Sequence, residues 1–175
     1  DYQHKGRKGG RLLGMDMERI AGDKEPFDPS PLLEIAPVLI LWGANHYADR
    51  LPAKRGWLIW DKRDGTPSND QSDCEMAWTS FLTVARVFSR YWNGNVRSGR
   101  EQGEGRVHPN QKPVALMAWC IRQAPFVRSL CDPYMGSGST LLAARELGIS
   151  ALGMEVEERY CEIAAQRLSQ KVMAL

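Results

Sequence analysis

The sequence predicts a three-layer α/β domain, a largely parallel sheet with helices on both faces. Three observations lead there. The last third alternates helix and strand patterns with tight connections. The run Val38-Leu39-Ile40-Leu41-Trp42 is continuously apolar and closed by Gly43, the pattern of a buried parallel strand. A strand pattern over 126–131 also passes through two glycines straight into a helix.

In chain order, residues 1–30 read as a mobile, glycine-rich basic arm. Asp28 or Ser30 is placed to cap a short helix over 31–35. The strand 38–42 is followed by a short helix over 45–51, stopped by Pro52. A second strand, 57–60, ends in the turn Asp61-Lys62-Arg63-Asp64-Gly65. Weaker strand patterns over 76–80 and 82–88 lie between a polar loop, 66–73, and an Arg- and Gly-rich loop, 91–107. A helix over 113–123 carries its proline in the first turn. The strand 126–131, a helix over 140–147 with Gly148 just beyond it, the strand 149–154 and an amphipathic helix over 157–174 complete the domain.

A length of 175 residues with 43% apolar residues supplies one core and is short for two. The 23 Lys and Arg nearly balance the 21 Asp and Glu, so net charge names no partner. Distribution says more. Lys5, Arg7, Lys8 and Arg11 sit together among glycines, suited either to phosphate contacts or to a solvated arm. No apolar stretch approaches the roughly 20 residues of a membrane span, and no signal-peptide pattern is seen. Cys74, Cys120, Cys131 and Cys161 form no CxxC pair, which points to reduced, mostly buried thiols, no metal site and a cytoplasmic setting.

The chemistry concentrates in Asp132-Pro133-Tyr134-Met135-Gly136-Ser137-Gly138-Ser139-Thr140. The two glycines permit a sharp turn with bare main chain towards a ligand. The following helix aims free N–H groups and its positive dipole end at that ligand, which favours an anion. Glu155, 17 residues beyond Gly138, falls at the tip of the next strand, where a carboxylate accepts hydrogen bonds from ribose hydroxyls. Together these describe a nucleoside-binding crevice. A dinucleotide fingerprint fits less well, because its third glycine position is Leu141.

These residues resemble the β-class DNA amino methyltransferases, which methylate exocyclic amines of DNA bases with S-adenosylmethionine. The 132–140 string is similar to the family's DPFxGSGT cofactor motif. His108-Pro109-Asn110-Gln111-Lys112-Pro113 is similar to its HPTQKP signature, in the family's order. The resemblance is specific over 107–171 and looser over 38–62, where 57–62 is similar to phage-encoded members.

It implies a permuted methyltransferase sheet, with the target half N-terminal and the cofactor half C-terminal. The methionine end of the cofactor would meet the glycine loop, the helix start and Asp132. His108, Asn110, Gln111 and Lys112 would wall the pocket, with Lys112 offering a cation and His108 lining rather than transferring a proton. The implied partner is double-stranded DNA, contacted from loops within 66–107. Arg97, Arg100 and Arg106 would meet phosphates or guanine edges there, although each taken singly also reads as a solvated side chain. A homodimer is compatible with this reading.

One departure concerns catalysis. The family holds its target amine with an [Asp/Asn/Ser]-Pro-Pro-[Tyr/Phe] motif whose ring stacks on the flipped base. No such string occurs in the 175 residues. Asp132-Pro133-Tyr134 is one proline short, and Asp28-Pro29-Ser30-Pro31 lacks the residues. The expectation is that Asp1 lies just after that strand in a longer protein. The expected activity is methylation of a DNA amine, adenine N6 before cytosine N4. A catalytically silent DNA-binding subunit and an RNA or small-molecule amine methyltransferase stay open.

Overall fold

The computed structural model describes residues 25–68, 71–93, 96–101, 105 and 107–170. Residues 1–24 of the expected basic arm, with Lys5, Arg7 and Lys8, lie outside them, as does Arg106, whereas residues 25–30 lie within them. Helix α1 (Ser30–Ile35) leads into β1 (Ile40–Trp42), β2 (Trp57–Asp61), β3 (Cys74–Thr79), β4 (Arg86–Ser89) and the small hairpin β5 (Trp92–Asn93)–β6 (Val96–Arg97). Then come α2 (Val114–Gln123), β7 (Ser129–Asp132), α3 (Ser139–Glu146), β8 (Ser150–Gly153) and α4 (Glu158–Ser169). Among the described residues, no helix is long and apolar enough to cross a membrane.

Four strands form one sheet in the order β1-β3-β2-β4. β3 enters antiparallel between β1 and β2, pairing Leu41 with Trp78 on one side and Leu58 with Ala77 on the other. β4 runs parallel to β2. This corrects one expectation and bears out another. The strand at 38–42 pairs antiparallel, and the weak pattern at 76–80 is a central strand. Its polar Glu75 and Thr79 obscure it in sequence, yet Ala77, Trp78 and Thr79 are buried, and the Thr79 hydroxyl donates to the Gly56 carbonyl at 2.9 Å. Only the end of the 82–88 segment is strand. The expected helix at 45–51 is a pair of 3-10 turns, Ala44–His46 and Ala48–Arg50.

Alternation along the strands sorts side chains into two cores. Leu58, Trp60 and Ala77 face α2, meeting Leu116, Ile121, Ala143 and Ala144. Leu41 and Trp78 face the other way, with Tyr47, Phe27 and the α1 leucines Leu32 and Leu33. Helices therefore cover both faces of the four-stranded sheet.

β7 and β8 form a separate parallel pair, Cys131 opposite Leu152. One face packs on α3, where a Cβ on Gly153 would meet the Leu141 side chain at 2.9 Å. The expectation of cover on both faces fails here. Cys131 is exposed and Leu152 is 57% exposed, and Phe126, expected inside the strand, stands fully exposed at positive φ before it. Of the four thiols only Cys120 is buried. Burial pushes it up to about 12, so it stays a thiol at neutral pH.

Leu58 has no solvent exposure and sits where β2, β3 and α2 meet. Leu58→Ala should lower unfolding stability by about 2–5 kcal/mol in urea titration. Val87→Ala, at 60% exposure on β4, should change it by less than about 0.5 kcal/mol. Equal effects would misplace the core.

Candidate functional site

The ends of β1, β2 and β7 point to the same side of the domain. Lys112, just before α2, lies over the ring of Trp42 at the tip of β1, 5.7 Å from its centroid. Phe27 spans the tips of β1 and β7, its centroid 4.9 Å from Tyr47 and 5.7 Å from Tyr134. Tyr47 donates to the Trp42 carbonyl at 2.9 Å, and its burial pushes the phenol up to about 12.

At the tip of β7 the chain turns through Gly136 and Gly138, with φ of 50° and 79°. Both values lie in the left-handed region that glycine adopts without strain. The turn is held from several directions. The Asp132 carboxylate accepts from Tyr134 N at 3.1 Å, and Met135 N donates to the Met154 carbonyl at 3.0 Å. Arg167 of α4 donates to the Ser137 carbonyl at 2.6 Å. Glu155 ties the two strand tips together. One of its oxygens accepts from Gly136 N at 3.0 Å, the other from Glu157 N at 2.9 Å.

A Cβ on Gly136 would lie 3.1 Å from the His108 ring, and one on Gly138 would lie 2.9 Å from Ala164 Cβ. The glycine pattern in the sequence suggests bare main chain left for a ligand. Here their missing side chains make room for the protein itself.

The segment 108–113 lies against this turn. His108 is buried edge-on to Tyr160, with centroids 4.3 Å apart, and its Nδ1 accepts from Asn110 N at 3.1 Å. Gln111 is buried and accepts from Val107 N at 3.2 Å, so it shapes its own turn, whereas Asn110 is exposed. Lys112 Nζ stands 3.2 Å from Glu75 Oε2, in an ion pair that Glu75 shares with Lys62. The buried Glu101 carboxylate accepts from Val114 N at 3.1 Å, placing a negative charge at the start of α2.

Two groups remain for a ligand. Ser139 and Thr140 open α3, so their N–H groups have no acceptor within the helix. The buried Ser139 hydroxyl, 7% exposed, has no hydrogen-bond partner among the described residues. Each Glu155 oxygen also keeps a lone pair beyond the one it uses. An anion at the helix start and hydroxyls at the β8 tip fit these donors and acceptors.

Of the expected DNA contacts, Arg97 stands on β6 and Arg100 in the turn Gly99–Glu101, next to each other in the chain but apart from the glycine turn in sequence. The sequence reading missed Glu75, Glu101, Tyr160, Ala164 and Arg167. The last three sit on one face of α4, as their i, i+4 and i+7 spacing indicates. A groove of about 490 Å³ lined by Lys54, Arg55, Phe81 and Leu82 lies at the opposite end of the sheet, where β3 ends.

A family model described as DNA methylase matches residues 59–166, from within β2 to within α4. The chain belongs to the DNA methylase family. The chain is 35% identical over 89 residues to the type II methyltransferase M.ScaI of Streptomyces caespitosus, covering 50% of the chain and 28% of the relative. It is 32% identical over 114 residues to M2.LlaDCHI of Lactococcus lactis subsp. cremoris, covering 65% and 41%. The chain thus spans well under half of the curated relatives it matches. The fold matches the M1.HpyAVI–SAM complex with a TM-score of 0.53 at 26% identity, over 81% of this chain and 79% of that one. That match supports a Rossmann-like methyltransferase fold.

Glu155→Ala would strand two backbone N–H donors at the glycine turn. It should lower unfolding stability by about 1–3 kcal/mol in urea titration, and Glu155→Gln, which keeps an acceptor, should lose less. No loss in Glu155→Ala would break the proposed tie between the strand tips.

Proposed function

We propose that this methylase transfers a methyl group from S-adenosylmethionine to an exocyclic amine of double-stranded DNA, adenine N6 before cytosine N4. The observation that carries the reading is the unpartnered, buried Ser139 hydroxyl at the start of α3, with Glu155 across the two strand tips. The similar fold of M1.HpyAVI, solved as a SAM complex, supports the same cofactor. When bound, S-adenosylmethionine supplies an electrophilic methyl group on a sulfonium.

The residues divide the cofactor between them. The α3 amides and Ser139 hold the methionine carboxylate, where the helix dipole favours negative charge. Asp132 and the Pro133–Tyr134 corner would receive the methionine amine. Gly136, Ser137, Gly138 and Thr140 give the turn its path. Glu155 accepts from the ribose hydroxyls with the lone pairs its backbone donors leave over. His108 backs the glycine turn, Gln111 holds the 107–111 turn behind it, and Asn110 is exposed.

The target amine needs groups that hold it, since its lone pair is delocalised into the base ring. The exposed Tyr134 and the adjoining Phe27 offer rings for stacking at the mouth. A DPPY-type segment is the natural source of the remaining contacts, and the 175 residues contain none. Among the described residues β1 pairs only with β3, and β7 only with β8, so each strand has one open edge. A strand between those edges would deliver such a segment to Tyr134. A second reading is a cofactor-binding subunit that does no chemistry.

Ser139→Ala removes a hydroxyl without an internal partner. The melting temperature should hold or rise, while S-adenosylmethionine affinity by calorimetry should fall about tenfold, the worth of one charge-assisted hydrogen bond. Unchanged affinity would move the cofactor elsewhere.

Methyl transfer decides between the two readings. Residues 1–175 should bind cofactor yet incorporate no tritiated methyl into mixed-sequence duplex DNA. Extension at the N-terminus by a DPPY-type strand should bring incorporation. Robust incorporation without the extension would place the catalytic groups within these residues. Continued silence with it would favour the subunit.

If the 93–107 loop meets phosphates, duplex affinity should fall steeply with salt. Replacing Arg97, Arg100 and Arg106 together by Gln should flatten that dependence in a binding titration. An unchanged slope would remove these arginines from the interface.

A further inference from the structure

A carboxylate outside the glycine turn connects the cofactor wall to the rest of the sheet. Glu75 sits near the start of β3, opposite Trp60 of β2. Its Oε2 is 3.2 Å from Lys112 Nζ and its Oε1 is 3.4 Å from Lys62 Nζ. The two lysines come from distant parts of the chain. Lys112 belongs to the 108–113 wall, and Lys62 follows directly on the tip of β2. Each ammonium also lies over a tryptophan, Lys112 over Trp42 and Lys62 at 6.0 Å over Trp60.

Burial works to raise the Glu75 carboxyl, but the two lysines outweigh it and hold the group below the ordinary carboxylate range. The charge is therefore present at neutral pH. Lys62 is anchored in turn, since its N–H donates to the Asp73 carbonyl at 2.9 Å and its carbonyl accepts from Trp92 N at 3.2 Å. Asp73 also takes the buried Arg63 guanidinium at 2.8 Å. Lys62, Arg63 and Asp73, at the two ends of the β2–β3 connection, are thus tied to one another beside Glu75.

We propose that Glu75 is a positioning residue for the cofactor pocket. It holds Lys112, and with it the 108–113 wall, at a fixed distance from β2 and β3, and so sets where the His108 ring meets the glycine turn. Lys112 then serves the pocket through its grip on Glu75 and Trp42, and not as a cation facing the ligand. This rests on the cofactor reading above.

The two roles for Lys112 predict opposite signs. If Lys112 were a direct cation for the cofactor carboxylate, Glu75→Gln would free its charge, and S-adenosylmethionine would bind as well or better. If Glu75 positions the wall, Glu75→Gln weakens binding, by about five- to twentyfold in calorimetry. Lys112→Met should weaken it comparably, and the double variant no further than Glu75→Gln alone. Measurement well below each variant's melting temperature separates this from a general loss of fold, which would lower melting without moving the affinity of the folded protein.

Lys112→Arg, which keeps a cation against both Glu75 and Trp42, should recover affinity to within about threefold of the parent. Unchanged or tighter binding in Glu75→Gln, or additive losses in the double variant, would overturn the proposal. Ser139→Ala, measured alongside, keeps the two claims apart. If it weakens binding while Glu75→Gln does not, the pocket stands and the role of Glu75 falls. If the parent binds no S-adenosylmethionine, both fall.

Discussion

The glycine turn keeps its shape because one carboxylate reaches across two strand tips. Glu155 leaves β8, yet one of its oxygens takes the N–H of Gly136 on the turn after β7, and the other takes the N–H that opens the approach to α4. Parallel strands such as β7 and β8 have no hairpin to fix their ends relative to each other. A charge-assisted pair of bonds at the tip supplies that constraint locally. Arg167 then clamps the far side of the turn from α4, and His108 fills the space a side chain at Gly136 would occupy. The turn is in this sense built before any ligand arrives, which reduces the ordering that binding would otherwise require.

Helix α2 makes this local arrangement part of a larger body. Its buried face joins the Leu58, Trp60 and Ala77 face of the four-stranded sheet to Ala143 and Ala144 of α3. The two sheets share no strand pairing among the described residues, so this apolar contact and the rings of Phe27, Tyr47 and Tyr134 connect them. The start of α2 is also where the 108–113 wall ends and where Lys112 reaches back to Glu75. Packing, electrostatics and pocket geometry thus meet within one turn of helix.

Much of this was legible in the sequence because the relevant signals are local. Two glycines between a strand and a helix, the acidic tip at Glu155 and Pro113 at the head of α2 each declare a backbone event within a few residues. The 108–113 and 132–140 strings identify the family for the same reason. What escaped depends on contacts between residues far apart in the chain. β3 reads weakly because Glu75 and Thr79 interrupt its apolar pattern, although one carries an ion-pair pair and the other a hydrogen bond to Gly56. A second reason for Gly136 and Gly138 is visible only in the fold. Spacing alone cannot say whether bare main chain is left for a ligand or for His108 and Ala164. The open face of β7–β8 likewise cannot be read from Leu152 and Cys131, whose apolar character suggests burial.

Amide hydrogen exchange with and without S-adenosylmethionine tests the central claim most directly, because it reports where the cofactor sits without presuming any residue's role. The account predicts new protection in 132–140 and 155–157, extending to 107–113, with the Lys54–Leu82 groove at the opposite end of the sheet unchanged. Protection confined to that groove, or binding that leaves 132–140 unaltered, would contradict it.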